Sequence, residues 1–473
     1  MVHRGPRRRR GCGPGRGPAL RGRVRGPGRR AVPRRPVAAR RRPAGGRPRE
    51  RRRARAGLNS TVRRWSSARR GRFLGGRATE PWNRRRISSP RWRPSSTSGR
   101  SRPVRLGVRA ALIDGDLVEG DLRIEDGEVR EVGVTPAGRV GIAAPGFVDL
   151  HINGVAGVDF WTADPGGYRR AAEALASTGV IAFQPTFVSA PVDGYAPALA
   201  TASAARVELD GAGLPRLAGV HLEGPFLAPQ WAGAHDPAHL LAPDPGLAAS
   251  LCEQGPVTML TLAPELPGGL DLVDRLVAAG VAVSIGHSDA DSSAAHAAFD
   301  RGARAITHIF NAHRRWQPRD PGLAGAAIVR PDVFVEAIVD GVHLAPDAAY
   351  GTFLAARDRY CLVTDAVEAA MAAPGDYRLA DRPVRVADGA VRLADGTLAG
   401  SVLTMDRAVR NLVAGGAPPA QALRAASGAP ARLLRRADLG AIAPGAPAHL
   451  VVLDDELRVR RTLIGGAEAF AAG

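Results

Sequence analysis

Five residues of this chain have types suited to catalysis and stand at matching places: His151, Glu223, His287, His308 and Asp365. Each ends a short apolar run. The runs are GFVDLHI, LAGVHLEGP, VAVSIGHS, AITHIFNA and YCLVTDA, and three more (GVIAFQPTF, VTMLTLAPE, FVEAIVDGVH) close near Thr186, Glu265 and His343. One carboxylate and two imidazoles, Glu223 with His287 and His308, make a common ligand set for a catalytic divalent metal with one open position. A metal held so lowers the pKa of a bound water toward about 7, and a nearby carboxylate such as Asp365 is suited to take its proton and pass it on.

Residues so far apart in sequence must be gathered by the fold. Eight apolar runs, each followed by a helix-like stretch, predict a (β/α)8 barrel, in which the C-terminal ends of all strands share one face. Helical spacing is expected over Tyr168–Ser177, Leu272–Ala279, Ser292–Asp300, Asp347–Ala356, Met405–Leu412 and Pro419–Leu434. Before the barrel, residues 104–145 read as short strands, with a hairpin turn at Asp126-Gly127. Residues 436–473 read alike, through Ala448–Leu453 and Arg458–Leu463. The two ends together are expected to form one small β-sandwich flanking a barrel of residues 146–435.

Charge divides the chain. Residues 1–104 hold 35 Arg and two acids, Glu50 and Glu80, whereas the remainder is net acidic. The body is thus charged like an ordinary soluble enzyme. Residues 1–103, built from Arg, Gly, Pro and Ser, are expected to be disordered, because they cannot bury enough surface to offset chain entropy. Such a tail could neutralise phosphates as a nucleic-acid arm. The favoured reading is upstream sequence translated from a misassigned start, since the next Met after Met1 is Met259. Every basic residue is Arg, so no lysine can act as nucleophile or carbamylated metal bridge. The three cysteines (Cys12, Cys252, Cys361) are widely spaced and fit a reducing compartment. No apolar run approaches the ~18–20 residues of a membrane span, and a secretory signal is not expected. A cytoplasmic enzyme is the expectation.

The ordered motifs PGFVDLHINGVAG, HLEGPF, GAHD, LAPE, GHS, THIFNA, DPGLAGA, VDGVHL, LVTDA and GTLAGSVLTM resemble the N-acetylglucosamine-6-phosphate deacetylases of the amidohydrolase superfamily. The resemblance implies a homodimeric metal-dependent barrel enzyme. It would hydrolyse the acetamide of N-acetylglucosamine 6-phosphate to glucosamine 6-phosphate and acetate, in amino-sugar catabolism and cell-wall recycling. It further implies Glu223, His287 and His308 as ligands of one divalent metal, zinc first, with iron or another divalent ion accepted. Asp365 would be general base and then general acid, and His235 would polarise the acetamide carbonyl. Asn311, Ala312, Arg319 and His343 would hold the phosphate, Arg319 reaching across a dimer interface. Asp340 and Leu398-Ala399-Gly400 would contact the sugar. Three places depart from the family pattern. His151-Ile-Asn153 carries one His where many superfamily members have two, which makes His151 a site wall or weak second ligand. His313 stands where Met is common, and no lysine bridge is available. Glu265 is read as a structural carboxylate. The competing enzyme reading is an amidohydrolase acting on a related N-acyl aminosugar or a cyclic amide.

Overall fold

The computed structural model describes residues 103–139 and 141–473. The expectations for the Arg-rich tail lie outside the described residues, apart from its last residue. Eight parallel strands form the barrel: β1 (Phe147–Ile152), β2 (Val180–Phe187), β3 (Val220–Glu223), β4 (Val257–Leu262), β5 (Ala282–Ile285), β6 (Ala305–Ile306), β7 (Phe334–Ala337) and β8 (Tyr360–Leu362). Each pairs with the next in order. The ring closes where Ile152 bridges Ala366 in parallel and the Asp365 N–H donates to the His151 carbonyl at 2.7 Å. The strands are buried almost throughout, as a parallel sheet covered on its outer face requires.

Around them lie α1 (Pro165–Ala176), α2 (Val192–Leu209), α3 (Pro245–Gln254), α4 (Gly269–Ala279), α5 (Ser292–Asp300), α6 (Gly322–Val329), α7 (Pro346–Ala356) and α8 (Met405–Ala414). Aspartates begin three of them. Asp164, Asp244 and Asp291 accept backbone N–H groups that have no partner inside the helix. Helix α5 matches its predicted bounds. The Pro419–Leu434 stretch is two helices, Pro419–Ala426 and Gly428–Leu433, broken at Ser427 with Gly428 following.

Both ends of the described region build the small β-domain. One sheet runs Ala467–Ala471, Val459–Ile464, Leu450–Leu453, Ile142–Pro145, Ala110–Ile113 and Asp116–Glu119. A second holds Val104–Arg105, Asp121–Glu125 and Glu128–Val134. Asp126 and Gly127 have φ of 54° and 76° between paired Glu125 and Glu128, the geometry of a tight two-residue hairpin turn. A feature the sequence did not disclose is a three-stranded antiparallel insertion after β8, over Gly375–Leu379, Arg382–Ala387 and Ala390–Arg392. It belongs to neither the barrel nor the terminal sheets, and it brings residues to the site.

His449 links the small domain to the barrel. Its Nδ1 accepts the Gly465 N–H at 2.9 Å, and Arg216, in a strand segment paired with β2, lies 3.2 Å from its Nε2. Burial, helped by the Arg216 charge, lowers the His449 pKa from its ordinary value to about 3. The unfolded chain therefore binds a proton below about pH 6.5 that the folded chain refuses until about pH 3. The stability that His449 contributes is complete above the unfolded pKa and is lost as pH falls through that window, at up to about 1.4 kcal/mol per pH unit. His449→Asn keeps an acceptor near the Nδ1 position without the titration. Its denaturation free energy is expected to fall less steeply between about pH 6.5 and 4 than that of the unsubstituted protein, and equal slopes would count against a titrating His449.

Candidate active site

Four imidazoles surround one carboxylate at the C-terminal mouth of the barrel. Glu223 Oε1 lies 2.8 Å from His308 Nε2 and 3.0 Å from His287 Nε2, and these two nitrogens are 3.1 Å apart. Glu223 Oε2 lies 3.4 Å from both His151 Nε2 and His235 Nε2. Burial alone would raise the Glu223 pKa; the surrounding imidazoles, His151 and His287 foremost, outweigh it and hold the carboxylate well below its usual range. Among the described residues, Glu223, His287 and His308 form a buried group whose ligand atoms can share one ion.

This convergence strains the backbone. His287, His308 and Asp365 have φ of 48°, 31° and 47°. Non-glycine residues in the left-handed region cost on the order of 1–3 kcal/mol each. All three stand just past a strand, where the turn aims the side chain inward.

Proton positions follow from the partners. His287 Nδ1 lies 2.8 Å from the Trp231 carbonyl, which can only accept. The proton is then on Nδ1, and the Nε2 lone pair faces Glu223 Oε1 and His308 Nε2. A lone pair aimed at a carboxylate oxygen and a second imidazole suits a cation at usual ligand distances of about 2.0–2.2 Å. The donor set therefore fits a divalent metal. His235 is arranged in the opposite sense: its Nδ1 accepts the Ser189 N–H at 3.1 Å, so the neutral ring carries its proton on Nε2, toward the site. Burial, with His287 beside it, lowers its pKa and keeps the ring neutral.

Asp365 accepts a hydrogen bond from Asn153 Nδ2 at Oδ1, 2.7 Å, and the same oxygen is 3.4 Å from His151 Nε2. Nearby, Asp149 ties β1 to the end of β8 by accepting from the Thr364 hydroxyl at 2.6 Å; burial raises its pKa to about 7.

A cavity of about 630 Å³ opens over the cluster. Glu223, His235, His287, His308 and Asp365 line it, with Asn311, Ala312, His343, Leu398 and Gly400. Gly400 has φ of 72°, and a Cβ there would meet Val367 Cγ1 at 2.7 Å and the Asp365 carbonyl at 2.8 Å. Four expected residues are elsewhere. His151 is fully buried beneath the cluster and forms no part of the cavity wall. Arg319 is exposed and outside the lining of its own chain, although Arg315 and Trp316 of the same exposed segment reach the cavity. Ala399 faces a small apolar cluster with Val367 and Leu379, and its N–H donates to Val391. Asp340 commits its carboxylate to His343, accepting from His343 Nδ1 at 2.7 Å and from two backbone N–H groups. Burial raises the Asp340 pKa, but that bond, the His343 charge and the two backbone N–H groups together outweigh it and lower the pKa. The bond from Nδ1 also leaves His343 Nε2 as the nitrogen free to meet a ligand.

Thr186 lies below the site, its hydroxyl accepting the Ile152 N–H. Glu265 accepts from Ser288 Oγ at 2.7 Å and from the Asp289 N–H at 2.5 Å, bracing the loop that carries His287. His313 closes the turn holding Asn311 and Ala312, its Nε2 accepting the Phe310 N–H at 2.8 Å.

Several residues escaped the sequence reading. Asn153 is two positions from His151 on the same strand face, a signal that was available. Trp231 acts through its carbonyl, which no side-chain motif reveals. Arg392 reaches the cavity from the inserted sheet, Thr397 from the turn after it, and Arg315 from the β6 loop. Arg382 donates to the carbonyls of Ala234 and His235 at 3.0 Å each, clamping the His235 loop from the insertion.

The amidohydrolase family model matches residues 142–470. The N-acetylglucosamine-6-phosphate deacetylase of Danio rerio is 38% identical over 344 residues, 70% of this chain and 84% of that protein. The N-acetylgalactosamine-6-phosphate deacetylase of Escherichia coli O157:H7 is 36% identical over 364 residues, 75% of this chain and 95% of that protein. Among solved structures, a mutant N-acetyl-D-glucosamine-6-phosphate deacetylase of Mycobacterium smegmatis, in complex with N-acetyl-D-glucosamine-6-phosphate, superposes with a TM-score of 0.74 at 33% identity. That likeness covers 78% of this chain and all of the other. The Thermotoga maritima deacetylase gives 0.73 at 32% identity, with the same coverage. The chain belongs to the amidohydrolase family and is similar, along most of its described length, to that family's N-acetylhexosamine-6-phosphate deacetylases.

Proposed function

We propose that the chain hydrolyses the acetamide of N-acetylglucosamine 6-phosphate, releasing acetate and glucosamine 6-phosphate. The observation that carries this reading is the convergence of Glu223, His287, His308, His235 and Asp365 on one cavity of phosphosugar size. Glu223, His287 and His308 would hold one divalent ion, zinc in our reading, which when bound polarises the reacting groups and makes hydroxide accessible at neutral pH.

The chain's own residues do the rest. Asp365 takes the proton of the attacking water and delivers it to the leaving amine nitrogen. Asn153 fixes the orientation of that carboxylate through Oδ1 and leaves Oδ2 for the proton. The neutral His235 donates from Nε2 to the acetamide oxygen as negative charge develops there, an effect worth a few kcal/mol in a site closed to water. His343 Nε2 and the Asn311-Ala312 turn receive the phosphate. Arg319 completes that contact from the partner subunit of a homodimer, and Arg315 and Arg392 add cationic charge within the chain. Asp340 acts on the substrate only through His343. Residues 104–145 with 436–473, and 146–435, are assigned as small domain and catalytic domain, the inserted sheet lying within the latter's residues but outside its barrel. The Arg-rich tail is dispensable for the reaction. Among the described residues no helix is long and apolar enough to cross a membrane, and the cytoplasm is our reading of location.

The galactosamine epimer is a second substrate reading, favoured by the 36% identity to the Escherichia coli N-acetylgalactosamine-6-phosphate deacetylase. Acetate release from both phosphosugars and from unphosphorylated N-acetylglucosamine separates the readings. The expected order of kcat/KM is glucosamine derivative, galactosamine derivative, then unphosphorylated sugar; equal rates with and without phosphate would refute a phosphosugar site. Asp365→Asn is expected to lower kcat at least about 10³-fold while bound metal stays at the unsubstituted level. Loss of the metal in that variant would contradict the separation of proton transfer from ion binding.

A further inference from the structure

The inserted sheet grips the catalytic loop through one cation. Leu379 and Arg382 pair at the base of its first hairpin, whose turn is Ala380-Asp381. Asp159, in the segment that follows β1, accepts the Ala380 N–H at 3.2 Å and ties that turn to the body. From the same hairpin Arg382 reaches the His235 loop, where one guanidinium nitrogen donates to the carbonyls of Ala234 and His235 at 3.0 Å each. Among the described residues Arg382 makes no other side-chain hydrogen bond, and no other donor meets those two carbonyls. Residues 232–236 lie in no helix or strand, between the short helical turns Pro229–Trp231 and Pro237–His239. No regular element therefore sets the backbone that carries His235.

We infer that Arg382 is the positioning residue of His235, pinning the peptide planes on both sides of it so that the ring keeps its place against the acetamide oxygen. This rests on the deacetylase reading given above, in which His235 is the donor to that oxygen. A peptide unit is planar. The Ala234 carbonyl belongs to the plane before the His235 Cα, and the His235 carbonyl to the plane after it. Holding both fixes the two backbone dihedrals of His235, and with them the direction of its Cα–Cβ bond. Ser189 holds the ring itself, its N–H donating to Nδ1 at 3.1 Å. Backbone and ring edge together set where Nε2 lies. A donor to a developing oxyanion acts in the transition state, and a misplacement of about 1 Å costs turnover more than binding, on the order of 100-fold. The reach of Arg382 thus makes a sheet outside the barrel part of the machinery of the barrel site.

The test is a double-mutant cycle on the metal-loaded full chain, with N-acetylglucosamine 6-phosphate as substrate. Arg382→Met is expected to lower kcat about 10–100-fold, with KM within about twofold and bound metal unchanged, and Arg382→Lys to restore much of the loss. His235→Ala removes the ring but keeps both carbonyls, so the Arg382 contact survives in it. In that background Arg382→Met is expected to cost less than about twofold more. Losses that multiply in the double variant would overturn the inference, because a residue that merely held the fold would matter with or without the His235 ring. An unchanged kcat in Arg382→Met would overturn it too. Amide hydrogen exchange adds a readout free of turnover: residues 232–239 are expected to exchange faster in Arg382→Met while the barrel strands keep their protection. Unchanged exchange over that loop would count decisively against the clamp. An unsubstituted protein that releases no acetate would sink the deacetylase reading alone, and the exchange measurement would still decide on Arg382. Should Arg382→Met fail to fold, Arg382→Gln takes its place in both measurements.

Discussion

The site depends on one buried carboxylate surrounded by imidazoles. Glu223 sits at the end of β3 with both oxygens engaged: His287 and His308 on one, His151 and His235 on the other. Removing a carboxylate from water is expensive, and positive charge or a donor must offset it here: the His235 Nε2–H faces Oε2, and the lone pair on His287 Nε2 suits a cation shared with Oε1. Each of those rings must come from a different place in the chain. The parallel barrel solves that problem by bringing strand ends to a common face. The left-handed backbone at His287, His308 and Asp365 is the local cost of turning their side chains into the mouth.

Around this centre, backbone groups and second carboxylates decide what each ring can do. The Trp231 carbonyl gives His287 its lone pair toward Glu223, and the Ser189 N–H gives His235 a proton toward the cavity. Asp340 orients His343. Identical side chains thus present a lone pair or a proton to the cavity according to the partner behind them. The inserted sheet works from above, where Arg382 fixes the carbonyls of the His235 loop and Arg392 lines the cavity. The loop that carries His235 is therefore tied to scaffold on two sides.

Much of this was legible in the sequence because periodicity and residue type report on strand ends. Apolar runs closing on His or acidic residues disclosed both barrel and cluster, and the two β-rich termini disclosed the small domain. The sheet between Gly375 and Arg392 was not legible: its strands are short and half exposed, and no catalytic residue punctuates them. The placing of Asp340, Ala399 and Arg319 also escaped the sequence. Motif membership places a residue near a ligand but not on a given side of its own backbone, and Asp340 turns back onto His343 instead of facing the cavity.

The most direct test of the central claim is the position of the metal. X-ray diffraction from the metal-loaded protein, with anomalous data at the metal edge, would locate it. The account predicts an ion between Glu223 Oε1, His287 Nε2 and His308 Nε2. An ion bound only elsewhere, for example at the more exposed Asp236, His239 and Asp381 group, with both imidazoles unligated, would contradict it.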